Sequence, residues 1–60
     1  MYDVIAYLVT NEKHCFTGRD VNHARQIAKR IVMEGLHVCD DGVEEFYPTD
    51  KIFKVKILPA

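Results

Sequence analysis

The sequence of 60 residues lacks the features that mark several common classes of protein. No continuous apolar run is long enough to span a bilayer, and no basic start precedes an apolar run, so neither a membrane span nor a signal peptide is predicted. Internal repeats, linkers and low-complexity tracts are also missing. We therefore expect one cytoplasmic domain over residues 1–60, in which Cys15 and Cys39 are reduced.

The motifs on which most catalytic and cofactor sites depend are also missing. There is no C-x₂-C loop for zinc and no glycine-rich loop for a phosphate group. Successive residues on a strand face opposite ways, so Cys15 gains no general base from His14. A chain this short is also expected to lack room for a deep pocket beside its core. We expect no enzyme, no catalytic residue, no cofactor and no metal site, and we interpret the histidines and cysteines as scattered surface imidazoles and half-buried thiols, namely His14, Cys15, His23, His37 and Cys39.

The clearest signal that is present is one amphipathic helix. Asp20 is a good N-cap, because its carboxylate can accept from free backbone N–H groups of the first turn. Gly35 suits the left-handed C′ position, with Leu36 closing a Schellman motif against Ile31. A helix over residues 21–34 is therefore predicted. Its apolar stripe recurs at three- and four-residue spacing and comprises Val21, Ala24, Ile27, Ala28, Ile31 and Val32.

The rest of the chain reads as short strands. The last of them alternates, with Phe53, Val55 and Ile57 on one side and the two lysines Lys54 and Lys56 on the other. A three-residue hairpin loop, Asp40-Asp41-Gly42, is expected before the fourth extended segment. The extended segments are Tyr2–Thr10, His14–Thr17, Leu36–Cys39 (a strand or a loop), Val43–Tyr47 and Lys51–Leu58.

These elements predict an α+β fold in the order β-β-α-β-β. The simplest architecture is a two-layer sandwich, in which an antiparallel sheet of four strands, or five if Leu36–Cys39 also pairs, carries the helix on one face. The first and last strands are the longest and most apolar, so we expect them to be neighbours in the middle of the sheet.

The first strand is apolar on both sides, which is unusual for a small antiparallel sheet. One helix can cover only one face of the sheet, and a domain of this size buries too little surface to be more than marginally stable. A second copy of the chain is the expected cover, and we predict a homodimer formed through the sheet. The residues expected to self-associate are Tyr2, Val4, Ile5, Tyr7 and Val9.

Charge is segregated along the chain although the net charge is only −1. The predicted outer helix face is basic and the predicted second hairpin is acidic; each is either a solvated surface or a docking surface for a partner. The candidate binding residues are Arg25, Lys29, Arg30 and Met33 on the helix, and Asp40, Asp41, Glu44 and Glu45 on the hairpin. An alternative function is nucleic-acid binding through Arg25, Lys29 and Arg30.

The late segment Phe46-Tyr47-Pro48, followed by Ile52, Val55 and Ile57, resembles a group of small, mostly uncharacterised proteins of bacteriophage and prophage genomes. That resemblance implies a mobile-element origin and transfers no catalytic or binding residue. Small phage proteins of this kind often act by docking onto a host protein. We therefore predict a non-enzymatic interaction protein that self-associates and docks onto a bacterial host protein as an inhibitor or modulator.

Overall fold

A computed structural model describes residues 1–60 and confirms the α+β fold class. Five strands and one helix follow each other in the order β-β-α-β-β-β, so the segment after the helix is a strand. A single 3₁₀ turn, Thr49–Lys51, precedes the last strand. The elements are β1 (Tyr2–Leu8), β2 (Lys13–Gly18), α1 (Val21–Glu34), β3 (Leu36–Asp40), β4 (Val43–Tyr47) and β5 (Ile52–Pro59).

The strands form two antiparallel sheets rather than the single sheet that was predicted. The first sheet has the order β2-β1-β5, and the second is the β3–β4 hairpin alone. The first and last strands are neighbours, as predicted, but β5 is an edge strand and only β1 is central. Because Gly35 alone separates α1 from β3, the hairpin starts beside the end of the helix and not at an edge of the larger sheet.

Helix α1 has the predicted bounds. Asp20 Oδ1 accepts a hydrogen bond of 2.8 Å from the backbone N–H of His23, which confirms the N-cap. Gly35 has the predicted positive φ of 95°, but its ψ of 176° is extended, so the predicted Schellman motif does not form. Leu36 nevertheless reaches the core cluster that contains Ile31.

The core lies between α1 and the inner face of the three-stranded sheet. Its buried side chains are Val4, Ala6, Leu8, Ala24, Ile31 and Leu36. Gly18 at the end of β2 permits a close approach, since a Cβ there would lie 2.9 Å from the Cα of Ala24. Val32, which was predicted to lie in the apolar stripe, is 57% exposed.

Strand β5 departs from the predicted alternation at Phe53. Tyr7 pairs with Lys54, but its neighbour Leu8 pairs with Ile52, so Phe53 has no partner in the ladder. This register shift is a β-bulge, in which Phe53 is one extra residue. The residues after the bulge lie on the predicted sides of the sheet, whereas Ile52 before it lies on the opposite side from the one predicted. Phe53 is therefore 69% exposed, and Ile52 takes the inward position beside Val55 and Ile57.

The β3–β4 loop has two residues and not the three that were predicted. Asp40 pairs with Val43, and both residues between them have positive φ, 51° at Asp41 and 78° at Gly42. Two positive φ values are the requirement of a type I′ turn, whose twist matches that of the strands.

Candidate binding surfaces

A groove of about 730 Å³ runs between α1 and the β3–β4 hairpin. Four apolar side chains of its lining are buried or half-buried: Phe16 of β2, Ile27 and Ile31 of α1, and Leu36 of β3. The half-buried residues His23, Gly35 and Tyr47 also line it. A concavity this large was not expected in so short a chain. It forms because the hairpin stands apart from the main sheet, which leaves an open cleft instead of an enclosed pocket. The exposed lining residues are Gln26, Arg30, Glu34, His37, Phe46 and Pro48.

A short network on the hairpin fixes the aromatic wall of this groove. The rings of His37 and Phe46 are stacked, with centroids 4.2 Å apart and an interplanar angle of 3°. Glu44 Oε1 lies 2.9 Å from His37 Nε2 on the same side of the hairpin. Both partners are about half exposed, so this contact adds at most about 1 kcal/mol to stability. Its effect is to orient the imidazole beneath Phe46, whose side chain is 71% exposed.

Tyr47 anchors the opposite side of the hairpin to the main sheet. Its hydroxyl donates a 3.0 Å hydrogen bond to Glu45 Oε2, and its ring lies 5.7 Å from that of His14 in β2. The hydrogen bond to Glu45 raises the pKa of Tyr47, and desolvation and the charges of Glu12 and Glu45 raise it further. His14 Nε2 is buried beside this contact without a hydrogen-bond partner.

The groove continues onto the outer face of the helix, where a shallower depression of about 390 Å³ lies. Three residues line both concavities: Gln26, Arg30 and Glu34. Lys29 and Met33 line the depression only. The arginine and lysine side chains of this surface have no carboxylate partner within 4.0 Å.

The structure brings together only some of the predicted binding residues. Lys29, Arg30 and Met33 meet at the depression, whereas Arg25 is exposed elsewhere on the helix. Glu44 joins the groove wall through His37, and Glu45 lies on the other side with Tyr47. Asp40 and Asp41 lie at the exposed tip of the hairpin and line neither concavity.

The residues predicted to self-associate are also divided. Val4 is fully buried under the helix, and Tyr2 packs against the same core, so neither lies on the opposite face of the sheet. Val9 lies beyond the end of β1, where the chain turns through Asn11 with a φ of 73°. Ile5 and Tyr7 alternate with the buried residues and lie on the outer face.

The outer sheet face combines these two apolar side chains with cations. Lys54 Nζ lies 5.2 Å from the ring centroid of Tyr7 and 5.6 Å from that of Phe53. Lys56 Nζ lies 5.7 Å from the Tyr7 centroid, and Lys13 pairs with Tyr7 across the ladder to β2. The outer face is therefore a mixed basic and aromatic surface and not the continuous apolar one that β1 alone suggested.

Sequence reasoning missed His37 and Phe46 as site residues. The signal was present in Asp41-Gly42, because a two-residue type I′ turn pairs His37 with Phe46 and Cys39 with Glu44. Reading the loop with three residues hid this pairing. The position of Phe16 in the groove could not be predicted from the sequence, since it depends on how the β3–β4 hairpin packs next to β2.

No group of three or more histidine, cysteine, aspartate or glutamate side chains is arranged to hold a metal ion. The single helix is too short and too polar to cross a membrane. No protein-family model, curated protein or solved structure matches this chain.

Proposed function

We propose that this protein is a non-enzymatic protein-binding module whose groove between α1 and the β3–β4 hairpin takes a short segment of a partner protein. The observation that carries the proposal is the exposed Phe46 ring, which is held on His37 beside an apolar cleft. Its volume of about 730 Å³ lies within the roughly 300–1,000 Å³ typical of ligand sites. Exposed, pre-oriented aromatic side chains are frequent energetic centres of protein interfaces.

The chemistry of the groove defines the segment that it fits. The apolar lining accepts a large apolar side chain, which can pack against Phe16 and Ile27 and against the part of the Phe46 ring that His37 leaves uncovered. Arg30 lines both concavities without a carboxylate partner, so an acidic residue next to the apolar one would satisfy its guanidinium. The proposed ligand is a peptide segment with an aromatic or aliphatic anchor flanked by a carboxylate.

The class of partner is suggested by the sequence resemblance alone. A bacterial host protein, bound in the cytoplasm by a phage-encoded inhibitor or modulator, stays a prediction. The groove supports docking, because side chains of β2, α1, β3 and β4 together form a concave surface into which a partner segment can fit.

A random peptide library displayed on yeast tests the proposal. We expect enrichment of sequences that carry an aromatic or aliphatic residue beside Asp or Glu. Phe46→Ala should weaken an enriched peptide by about 2 kcal/mol, roughly thirtyfold, because truncating an aromatic at an interface centre has that typical cost. Arg30→Gln should weaken the acidic peptides selectively.

Val43→Ala is the matched control for Phe46→Ala. Val43 is an exposed apolar residue of the same strand that does not line the groove, so its truncation should leave peptide affinity unchanged. Failure to enrich any sequence, or equal losses in the two variants, would contradict a groove-based function.

A further inference from the structure

The outer face of the β2-β1-β5 sheet carries a second arrangement with its own chemistry. Two aromatic rings, those of Tyr7 and Phe53, share the ammonium group of Lys54 at 5.2 and 5.6 Å from their centroids. The bulge at Phe53 produces this contact, because it places an extra aromatic side chain next to the outward Lys54. At these distances an ammonium group is attracted electrostatically to the face of an aromatic ring.

The positive charge of this face is not neutralised within the molecule. Lys13, Lys54 and Lys56 have no carboxylate within 4.0 Å. By register, Asp3 is the only acidic residue among the outward positions of the three strands, and it pairs with Thr17 and Leu58 at the end away from Tyr7. The face therefore presents three cations around two rings, although the whole chain has a net charge of −1.

We propose that this outer face binds single-stranded nucleic acid. Bases stack on Phe53 and Tyr7, and the lysine ammonium groups that now lie over the rings move to the phosphates. Aromatic rings with lysines on an open antiparallel sheet suit unpaired bases, since every base has a face to stack while a duplex hides it. The bound form exchanges each cation–π contact for a phosphate contact and a base–ring contact.

The surface is separate from the groove and from the basic helix face. Arg25, Lys29 and Arg30 lie on the helix, which packs against the opposite side of the sheet. Charge alone does not distinguish these two basic surfaces. The rings do, because no aromatic side chain lies on the outer face of α1.

Fluorescence anisotropy with a labelled oligothymidine of about twelve nucleotides provides the test. We expect saturable binding at low salt that weakens as salt rises. An abasic oligomer of equal length and charge should bind at least tenfold more weakly, since it offers phosphates without bases. Absence of binding at low salt overturns the proposal, and so does equal binding of the abasic oligomer, which would indicate a polyanion surface only.

Matched variants locate the site. Phe53→Ala should reduce the affinity for oligothymidine about fivefold or more and should leave the abasic oligomer unaffected. Lys54→Gln should lower the slope of log K against log salt by about 0.7. Lys29→Gln removes the same charge from the helix face and should change neither quantity.

Two outcomes would assign the outer face to other occupants. If Lys29→Gln weakens binding as much as Lys54→Gln does, the nucleic acid lies on the helix and this proposal is wrong. If the protein self-associates through the outer face and oligothymidine does not dissociate it, a second copy is the occupant and the proposal also fails. All variants change exposed side chains, and circular dichroism confirms that each one is folded.

Discussion

Gly18 and Ala24 set the distance between the helix and the sheet. The contact depends on the absence of a side chain, since a Cβ on Gly18 would meet the N, Cα and Cβ atoms of Ala24 at 2.9 Å. Two of these three atoms belong to the backbone of α1, so a rotamer change cannot relieve the overlap. Glycine is needed here for space and not for an unusual φ.

Gly18→Ala should therefore destabilise the protein by about 1–3 kcal/mol, the usual cost of overpacking. In a domain of this size each kcal/mol lowers Tm by roughly 4–8 °C. Thermal unfolding followed by circular dichroism measures the shift. Thr17→Ala, at the exposed neighbouring position, is the control and should change stability by less than about 0.5 kcal/mol. A Gly18→Ala variant as stable as the control would show that the helix can move away without cost.

The ionisation of Tyr47 depends on its contacts within the hairpin. The fold favours the protonated phenol, because its hydrogen bond to Glu45 and the nearby carboxylate charges raise its pKa above the ordinary value of 10.0. The corresponding stabilisation is complete below pH 10.0 and is lost as pH rises through the higher pKa of the folded state.

The ultraviolet absorbance of tyrosinate in the native protein, minus that of Tyr47→Phe, isolates this titration. Glu45→Gln should shift it to lower pH, since the main cause of the raised pKa is removed. Glu44→Gln deletes a carboxylate on the other side of the same strand and should leave the titration in place. An unchanged titration in Glu45→Gln would mean that the hydrogen bond is absent in solution.

At the scale of elements, the two sheets differ in how well they are supported. Strand β1 pairs on both sides and buries every second side chain under the helix. The β3–β4 hairpin has only two strands, and in β4 every residue except Tyr47 is exposed. Two-stranded sheets are marginal unless another element packs against them, so the hairpin depends on Leu36, Val38 and Tyr47 for attachment.

Native-state hydrogen exchange should therefore show different amide protection in the two sheets. Amides of β1 are expected to exchange only by global unfolding, whereas those of β3 and β4 exchange faster through local opening. NMR-detected exchange at low denaturant measures both classes in one sample. Equal protection of the two sheets would contradict the difference and would indicate that the groove wall is as rigid as the core.

The helix could be predicted to the residue because three independent signals agreed: the cap at Asp20, the apolar period, and the glycine at position 35. The strands could not be placed as well: the division into two sheets was not predicted, and two further errors each involved a single residue. One extra residue at Phe53 changed the side on which the start of β5 faces, and one residue fewer in the loop at Asp41-Gly42 changed which hairpin residues are paired. Such single-residue choices are decided by packing across the sheet, which a period-two pattern does not encode.

At the scale of the whole molecule, charge is separated instead of paired. No lysine or arginine has a carboxylate within 4.0 Å, and six of the eight lie on the outer helix face (Arg25, Lys29, Arg30) or on the outer sheet face (Lys13, Lys54, Lys56). The hairpin carries Asp40, Asp41, Glu44 and Glu45. The net charge of −1 is therefore the sum of two basic surfaces on opposite sides of the molecule and an acidic hairpin.

The homodimer inferred from the sequence stays a prediction, and the structure alters the surface that would form it. A dimer through the outer face would bury Ile5 and Tyr7 but would also bring Lys13, Lys54 and Lys56 of both copies together. Repulsion between like charges weakens as salt screens it, so association should tighten with ionic strength. Sedimentation velocity at micromolar concentration, in about 50 and 500 mM salt, measures this. A monomer under both conditions would contradict the dimer.

Because of the bulge in β5, the pairing of β1 with β5 does not require Phe53. Ile52 would still lie across from Leu8 and Lys54 across from Tyr7 if Phe53 were deleted, because those pairings skip it already. The loss of a single codon would therefore remove the exposed Phe53 ring while the core residues of β5 kept their partners in the ladder. Deletion of Phe53 should therefore leave the fold intact while it removes one of the two rings of the outer face.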